Sequence, residues 1–101
     1  SEWSTKNAPG VLALRGTQGA AYFRAGRFEE SVKTLEQNLE PFYEGKQEDL
    51  AFLAMAYKRL GREEDALKID AKCLEWEAAD GKPNPMRPEL ERVLREGQQA
   101  K

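Results

Sequence analysis

The chain repeats one of its own segments. Residues 21–33 recur 35 positions later as residues 56–68, and nine of twenty positions are identical between 21–40 and 56–75. Unrelated segments of this length would share roughly one or two positions, and a tandem period of 20–50 residues is typical of stacked repeats. No single unit of such a stack can bury its apolar face alone. The repeat therefore predicts a stack of similar units and favours binding over catalysis.

Each copy has the pattern of two helices joined by a glycine turn. We expect helices at about 11–25, 28–40, 47–60 and 63–79, with apolar residues at helical spacing in each. Gly26 and Gly61 follow the first helix of each copy, where a C-terminal cap needs positive φ. The pattern contains no strand and predicts an all-α fold.

A fifth helix is expected after a break rich in proline and glycine. Pro88 suits its first turn, and Leu90, Val93 and Leu94 give it a narrow apolar stripe, as a capping helix needs. The predicted organisation is a lead-in at 1–10, repeats at 11–45 and 46–80, a linker at 81–86 and a capping helix at 87–101.

Four further positions give packing expectations. Gly16 and Gly19 lie inside the first helix, where each costs about 1 kcal/mol relative to alanine, so we expect a close helix contact there. Trp76 is expected to pack against the fifth helix. Trp3 is expected either to fold back on the first helix or to mark an intermolecular contact.

The matched positions resemble the tetratricopeptide repeat, a helix-turn-helix unit of about 34 residues. The residues that carry the resemblance are Gly26 and Gly61 at the turn, Tyr22 and Tyr57 before it, Gly19, Ala54, Ser31 and Ala66 at small positions, and Leu39 and Leu74. Arg15, Glu63 and Asp70 depart from the family pattern. The resemblance implies a right-handed α-α superhelix of two repeats. The chain is also similar to repeat tails of larger bacterial signalling proteins.

The resemblance also implies a concave groove lined by the first helix of each repeat. Carried over by position, the partner-binding residues are Phe23, Arg24, Phe52, Met55, Lys58 and Arg59. Apolar groups beside positive charge predict a protein or peptide partner with an acidic, apolar segment. The alternative is that Phe52 and Met55 pack under the fifth helix or against Phe23, and that the basic residues form an ordinary solvated face.

Charge and composition exclude other classes of partner. The net charge is −2 and the pI about 5.3, whereas nucleic-acid-binding domains usually carry a basic excess, so no nucleic acid is expected. No apolar run reaches the roughly 18 residues of a membrane span, and no signal peptide is recognised. The single cysteine, Cys73, fits a reducing compartment and a buried, inert thiol. We therefore expect a cytoplasmic protein.

The chain contains no histidine, which removes Cys–His and Ser–His catalysis and the commonest zinc ligand. The acidic runs at 29–30 and 63–65 are typical of solvated helix starts. We therefore predict a non-catalytic interaction module with no cofactor or metal. The alternatives are a self-association module, acting through the N-terminal end or the groove, and an accessory domain of a larger signalling protein or enzyme.

Overall fold

The computed structural model describes residues 9–39 and 47–96, which form five helices. These are α1 Pro9–Arg24, α2 Phe28–Glu36, α3 Gln47–Arg59, α4 Glu63–Asp80 and α5 Arg87–Leu94. The described residues contain no strand, so the prediction of an all-α fold is confirmed. The expectations for Trp3 and for most of the connection between the repeats fall outside these ranges.

The two glycine turns have the same hydrogen-bond pattern. Gly26 has a φ of 80° and Gly61 a φ of 79°. After each glycine, the arginine N–H donates back to a tyrosine carbonyl, Arg27 to Tyr22 at 2.8 Å and Arg62 to Tyr57 at 2.9 Å. The N–H of each glycine donates to the carbonyl of the residue after that tyrosine, so both bonds satisfy carbonyls that the helix end leaves open. The expected positive-φ caps are confirmed in both copies.

The second helix is shorter than its sequence pattern predicts. We expected it to continue to about Glu40, but α2 ends at Glu36. Arg15 of α1 directs its guanidinium to the carbonyl of Gln37 at 3.4 Å and to Oδ1 of the buried Asn38 at 3.5 Å. The chain therefore leaves the helix where these polar groups gain a partner from the neighbouring helix.

The core centres on α3, which packs against each of the other four helices. Its residues are buried without interruption from Leu50 to Tyr57. A helix that is buried on all sides needs apolar or small residues on all sides, and α3 supplies them with alternating large side chains and alanines.

The close contact expected at the glycines of α1 is present. A Cβ added to Gly19 would overlap the side chain of Leu35 on α2, and one added to Gly16 would lie 2.6 Å from a carboxylate oxygen of Asp49. The hydroxyl of Ser31 donates to the carbonyl of Gly19 at 2.7 Å. The small residues of α1 therefore set the spacing between α1, α2 and α3.

Within 9–39 and 47–96, none of the helices combines the length and the apolar character needed to cross a bilayer.

Candidate partner-binding face

The six residues predicted to bind a partner lie on α1 and α3, but the structure treats them in three different ways. Phe23, Phe52 and Met55 are buried, and Met55 has no exposed surface. Arg24 and Arg59 stay exposed at the ends of their helices. Lys58 is turned away from both groups. We call the surface formed by Phe23, Arg24, Phe52, Met55 and Arg59 the α1/α3 face.

Aromatic rings form the floor of the α1/α3 face. The ring of Phe23 lies 5.7 Å from that of Phe52, centroid to centroid, in an edge-on arrangement. On its other side it lies 5.4 Å from the ring of Phe28, at the start of α2. Tilted contacts at these distances are the arrangement that aromatic quadrupoles favour. The ring cluster joins three helices at one point.

Two arginines lie over this cluster. The guanidinium carbon of Arg24 is 5.2 Å from the centroid of Phe52, and that of Arg59 is 5.7 Å from the centroid of Phe23. Cations within about 6 Å of a ring centroid are attracted by its negative face. The rings therefore hold both positive charges in place while leaving their N–H groups available to acceptors.

The helix α5 occupies the α1/α3 face. Leu90 and Val93 are fully buried in the same core cluster as the aromatic rings. Glu89 accepts a two-point ion pair from Arg24, with Nη2 at 2.8 Å from Oε1. Glu96, in the turn after α5, accepts from Nη2 of Arg59 at 2.8 Å. An amphipathic helix with two apolar contacts and two carboxylates is therefore already bound there in cis.

This arrangement bears on the expected groove, because three of the side chains that were expected to line it are buried. The repeat resemblance implies a groove-lining side of α3 for Phe52 and Met55, apart from the apolar stripe of Leu50, Leu53 and Tyr57. In the structure that side of α3 is covered by α5, so the stripe extends around the whole helix. Packing beneath the fifth helix and against Phe23 is the alternative that the sequence left open. The part that these residues take in binding a partner stays a prediction.

Lys58 serves the turn between α3 and α4. Its ammonium group pairs with Glu63, and only 10% of its side chain is exposed. Hydrogen bonding from this ammonium lowers the pKa of the Glu63 carboxyl. Lys58 therefore supports the second glycine turn, and its charge is not directed at the α1/α3 face.

The start of α5 is held by charged groups that the sequence analysis missed. Arg87 lies between two carboxylates of α4, with Nη1 at 2.8 Å from Asp70 Oδ1 and Nε at 3.1 Å from Glu77 Oε2. Hydrogen bonds from Arg87 lower the pKa of Glu77. The sequence did contain one indication of this ion pair. Asp70 is a carboxylate at a position where the tetratricopeptide repeat commonly has a bulky inner residue.

A buried asparagine fixes the linker in front of α5. The side-chain amide of Asn84 donates to the carbonyl of Gln47 at 2.9 Å, and its Oδ1 accepts from the N–H of Met86 at 2.9 Å. Asn84 thereby ties the linker to the first turn of α3. Trp76 of α4 is partly buried and packs against the same core, and its contact with α5 stays a prediction.

The remaining reactive groups do not converge on the α1/α3 face. Cys73 is buried, and burial raises the pKa of its thiol to about 12, which keeps it protonated. A cleft of about 530 Å³ lies between α2 and the turn joining α3 to α4, where Glu29, Glu30, Glu36 and Arg62 mix charges of both signs. Among the described residues, no group of three or more carboxylate or thiol side chains is placed to hold a metal ion.

No protein-family model matches the chain, and the searches of curated proteins and of solved structures return no significant match.

Proposed function

We propose that the chain is a non-catalytic protein-interaction module of the tetratricopeptide-repeat type, built as a right-handed superhelix of two repeats with α5 as its cap. Two observations support the repeat assignment. The glycine turns at Gly26 and Gly61 share one hydrogen-bond pattern, 35 residues apart. The order of packing, α1 on α2 and α3 and then α2 on α3, is that of successive helix pairs in a stack.

The partner site in this proposal is the α1/α3 face. The observation that carries it is that the face is already occupied, since Arg24 pairs there with Glu89 of α5 and Arg59 pairs with Glu96 of the turn that follows α5. A surface that combines an aromatic floor with positioned cations suits an acidic, apolar segment. A reducing, cytoplasmic setting is part of the proposal, because the only cysteine is a buried free thiol.

Capture from a lysate of the source cell tests this site. The exposed arginines are the residues to change, because replacing Phe52 or Met55 would cut into the core. We expect the immobilised wild-type chain to retain a partner that the double variant Arg24→Glu/Arg59→Glu loses.

The matched control is Arg27→Glu/Arg62→Glu. It makes the same change in net charge at arginines that lie directly before α2 and α4 and pair with Glu30 and Asp65 in the first turns of those helices. Equal capture by the two double variants would show that the α1/α3 face is not the site.

Self-association is the second candidate, because Leu14 of α1 is 56% exposed at the outer end of the helix stack. Single exposed leucines are ordinary, but this one lies among other small exposed residues, including Ala13 and Ala21. Light scattering on the wild type and on Leu14→Glu tests it. A dimer that dissociates in the variant supports self-association, and a concentration-independent monomer removes it.

A further inference from the structure

The helix α5 is bound by a short and regular set of side chains. Glu89 contacts Arg24, Leu90 and Val93 enter the core, and Glu96 contacts Arg59. Glu89 lies in the first turn of α5 and Glu96 in the turn that follows the helix, so the two carboxylates lie at the two ends of the segment. The contact pattern is Glu-Leu-x-x-Val-x-x-Glu, read over residues 89–96.

We propose, resting on the proposed function, that the partner is an amphipathic helix carrying this acidic pattern, and that it binds the α1/α3 face by displacing α5. In this proposal α5 and the partner helix compete for the α1/α3 face, and α5 covers the face when no partner is bound.

Charge complementarity supports this choice of occupant. Arg24 and Arg59 lie over the aromatic cluster and are positioned by it, so the positive charges remain when α5 leaves. The contacts that α5 makes there come from side chains, and another helix with the same spacing reproduces them. A segment without the two carboxylates would leave both arginines unpaired, and one with basic residues would be repelled.

The tether of α5 supports competition. Asn84 and Arg87 are held by α3 and α4 outside the α1/α3 face, through Gln47, Asp70 and Glu77. These contacts keep α5 close to the α1/α3 face even when Leu90 and Val93 are displaced from the core. A tethered segment competes at an effective concentration of roughly millimolar, so an incoming helix must overcome it.

The experiment mixes the full chain with a fluorescent peptide that has the sequence of residues 84–96. Fluorescence polarisation measures the binding of the peptide. We expect weak binding to the wild type and binding at least roughly tenfold tighter to Glu89→Arg/Glu96→Arg, whose own α5 no longer matches the arginines. The variant Arg24→Glu/Arg59→Glu should reject this peptide. It should instead bind a peptide carrying Glu89→Arg and Glu96→Arg.

A peptide with Leu90→Ser and Val93→Ser is the control, and no chain should bind it. If Glu89→Arg/Glu96→Arg is too unstable for a binding measurement, the wild-type peptide should stabilise its folded state by mass action and so raise the midpoint of its thermal unfolding. Equal binding of the wild-type peptide to the wild-type chain and to Arg24→Glu/Arg59→Glu would overturn the proposal. So would equal affinity for wild type and Glu89→Arg/Glu96→Arg, or a peptide that neither binds any chain nor raises a midpoint.

Light scattering on the wild type and on Arg24→Glu/Arg59→Glu completes the experiment, because a concentration-dependent dimer that this variant loses would put a second copy on the face and also overturn the proposal. The proposed function is judged separately by cellular capture. If cellular capture depends on Arg24 and Arg59 but the peptide of residues 84–96 does not bind, the displacement of α5 is overturned and the proposed function stands. If capture does not depend on the two arginines and the peptide does not bind, the proposed function and the displacement of α5 are both overturned.

Discussion

At Gly19, the absence of a single methyl group sets how closely α1 approaches α2. The Cβ of an alanine would overlap Leu35, and the carbonyl of Gly19 accepts a hydrogen bond from buried Ser31, so the two backbones cannot separate without cost. Inserting atoms into such a contact costs about 1–3 kcal/mol, which outweighs the helix propensity gained.

We therefore expect Gly19→Ala to lower the free energy of unfolding by about 1–2 kcal/mol, measured by urea denaturation. Gly10→Ala is the matched control in the same helix. No atom lies within 4 Å of a Cβ built at Gly10, so this variant should be as stable as the wild type or slightly more stable. Equal losses in both variants would mean that packing against Leu35 is not the cause.

Glu77 gives the fold a dependence on acid. The hydrogen bonds from Arg87 lower its pKa below the ordinary value of 4.5, so the folded state binds fewer protons here than the unfolded chain does. The stabilisation is therefore fully present above that ordinary pKa and is lost as the pH falls below it.

We expect Glu77→Gln to cost about 1–2 kcal/mol near neutral pH, and the gap between variant and wild type to narrow at about pH 3. Urea denaturation of both chains at the two pH values measures the gap. A gap of the same size at both values would show that the Glu77–Arg87 pair does not titrate in this way.

Among the elements, α5 is short but is anchored by both apolar and charged contacts. It has eight residues, yet Leu90 and Val93 are fully buried, and ion pairs connect it and its following turn to α1, α3 and α4. Deleting the side chain of a buried leucine typically costs 2–5 kcal/mol.

We expect Leu90→Ala to lower the free energy of unfolding by about 2–5 kcal/mol. The control is Leu67→Ala on α4, whose side chain is 61% exposed and whose loss should stay within about 0.5 kcal/mol. Urea denaturation followed by circular dichroism distinguishes them. A small loss at Leu90, close to that at Leu67, would mean that α5 is not part of the cooperative fold.

At the scale of the whole molecule, local signals predicted the helices but not what covers them. The helical periodicity and the glycine caps at Gly26 and Gly61 depend on neighbours in sequence, and they placed α1, α3 and α4 to within about two residues. They also placed the start of α5 at Arg87, but the helix ends at Leu94 and not at the predicted residue 101. The early end of α2 depends on Arg15, a residue of another helix, so its own pattern could not show it.

The α1/α3 face shows the same limit more clearly. Its members could be chosen from the repeat register, which is a pattern within the sequence. Whether that side is open depends on where the chain goes after the linker. The seat of α5 is set by Asn84, Arg87 and Glu89 acting on three different helices, and no periodicity within one segment encodes that.

The central claim is that α5 and an incoming acidic helix compete for one face. Nuclear magnetic resonance on the isotope-labelled full chain, with the unlabelled peptide of residues 84–96 added, tests it directly. We predict that amide hydrogen exchange accelerates across Arg87–Leu94 of the chain as the peptide binds, while exchange in α2 and α4 is unchanged or slower. Unchanged protection of α5 at saturating peptide would contradict the claim, because both helices would then be bound at once.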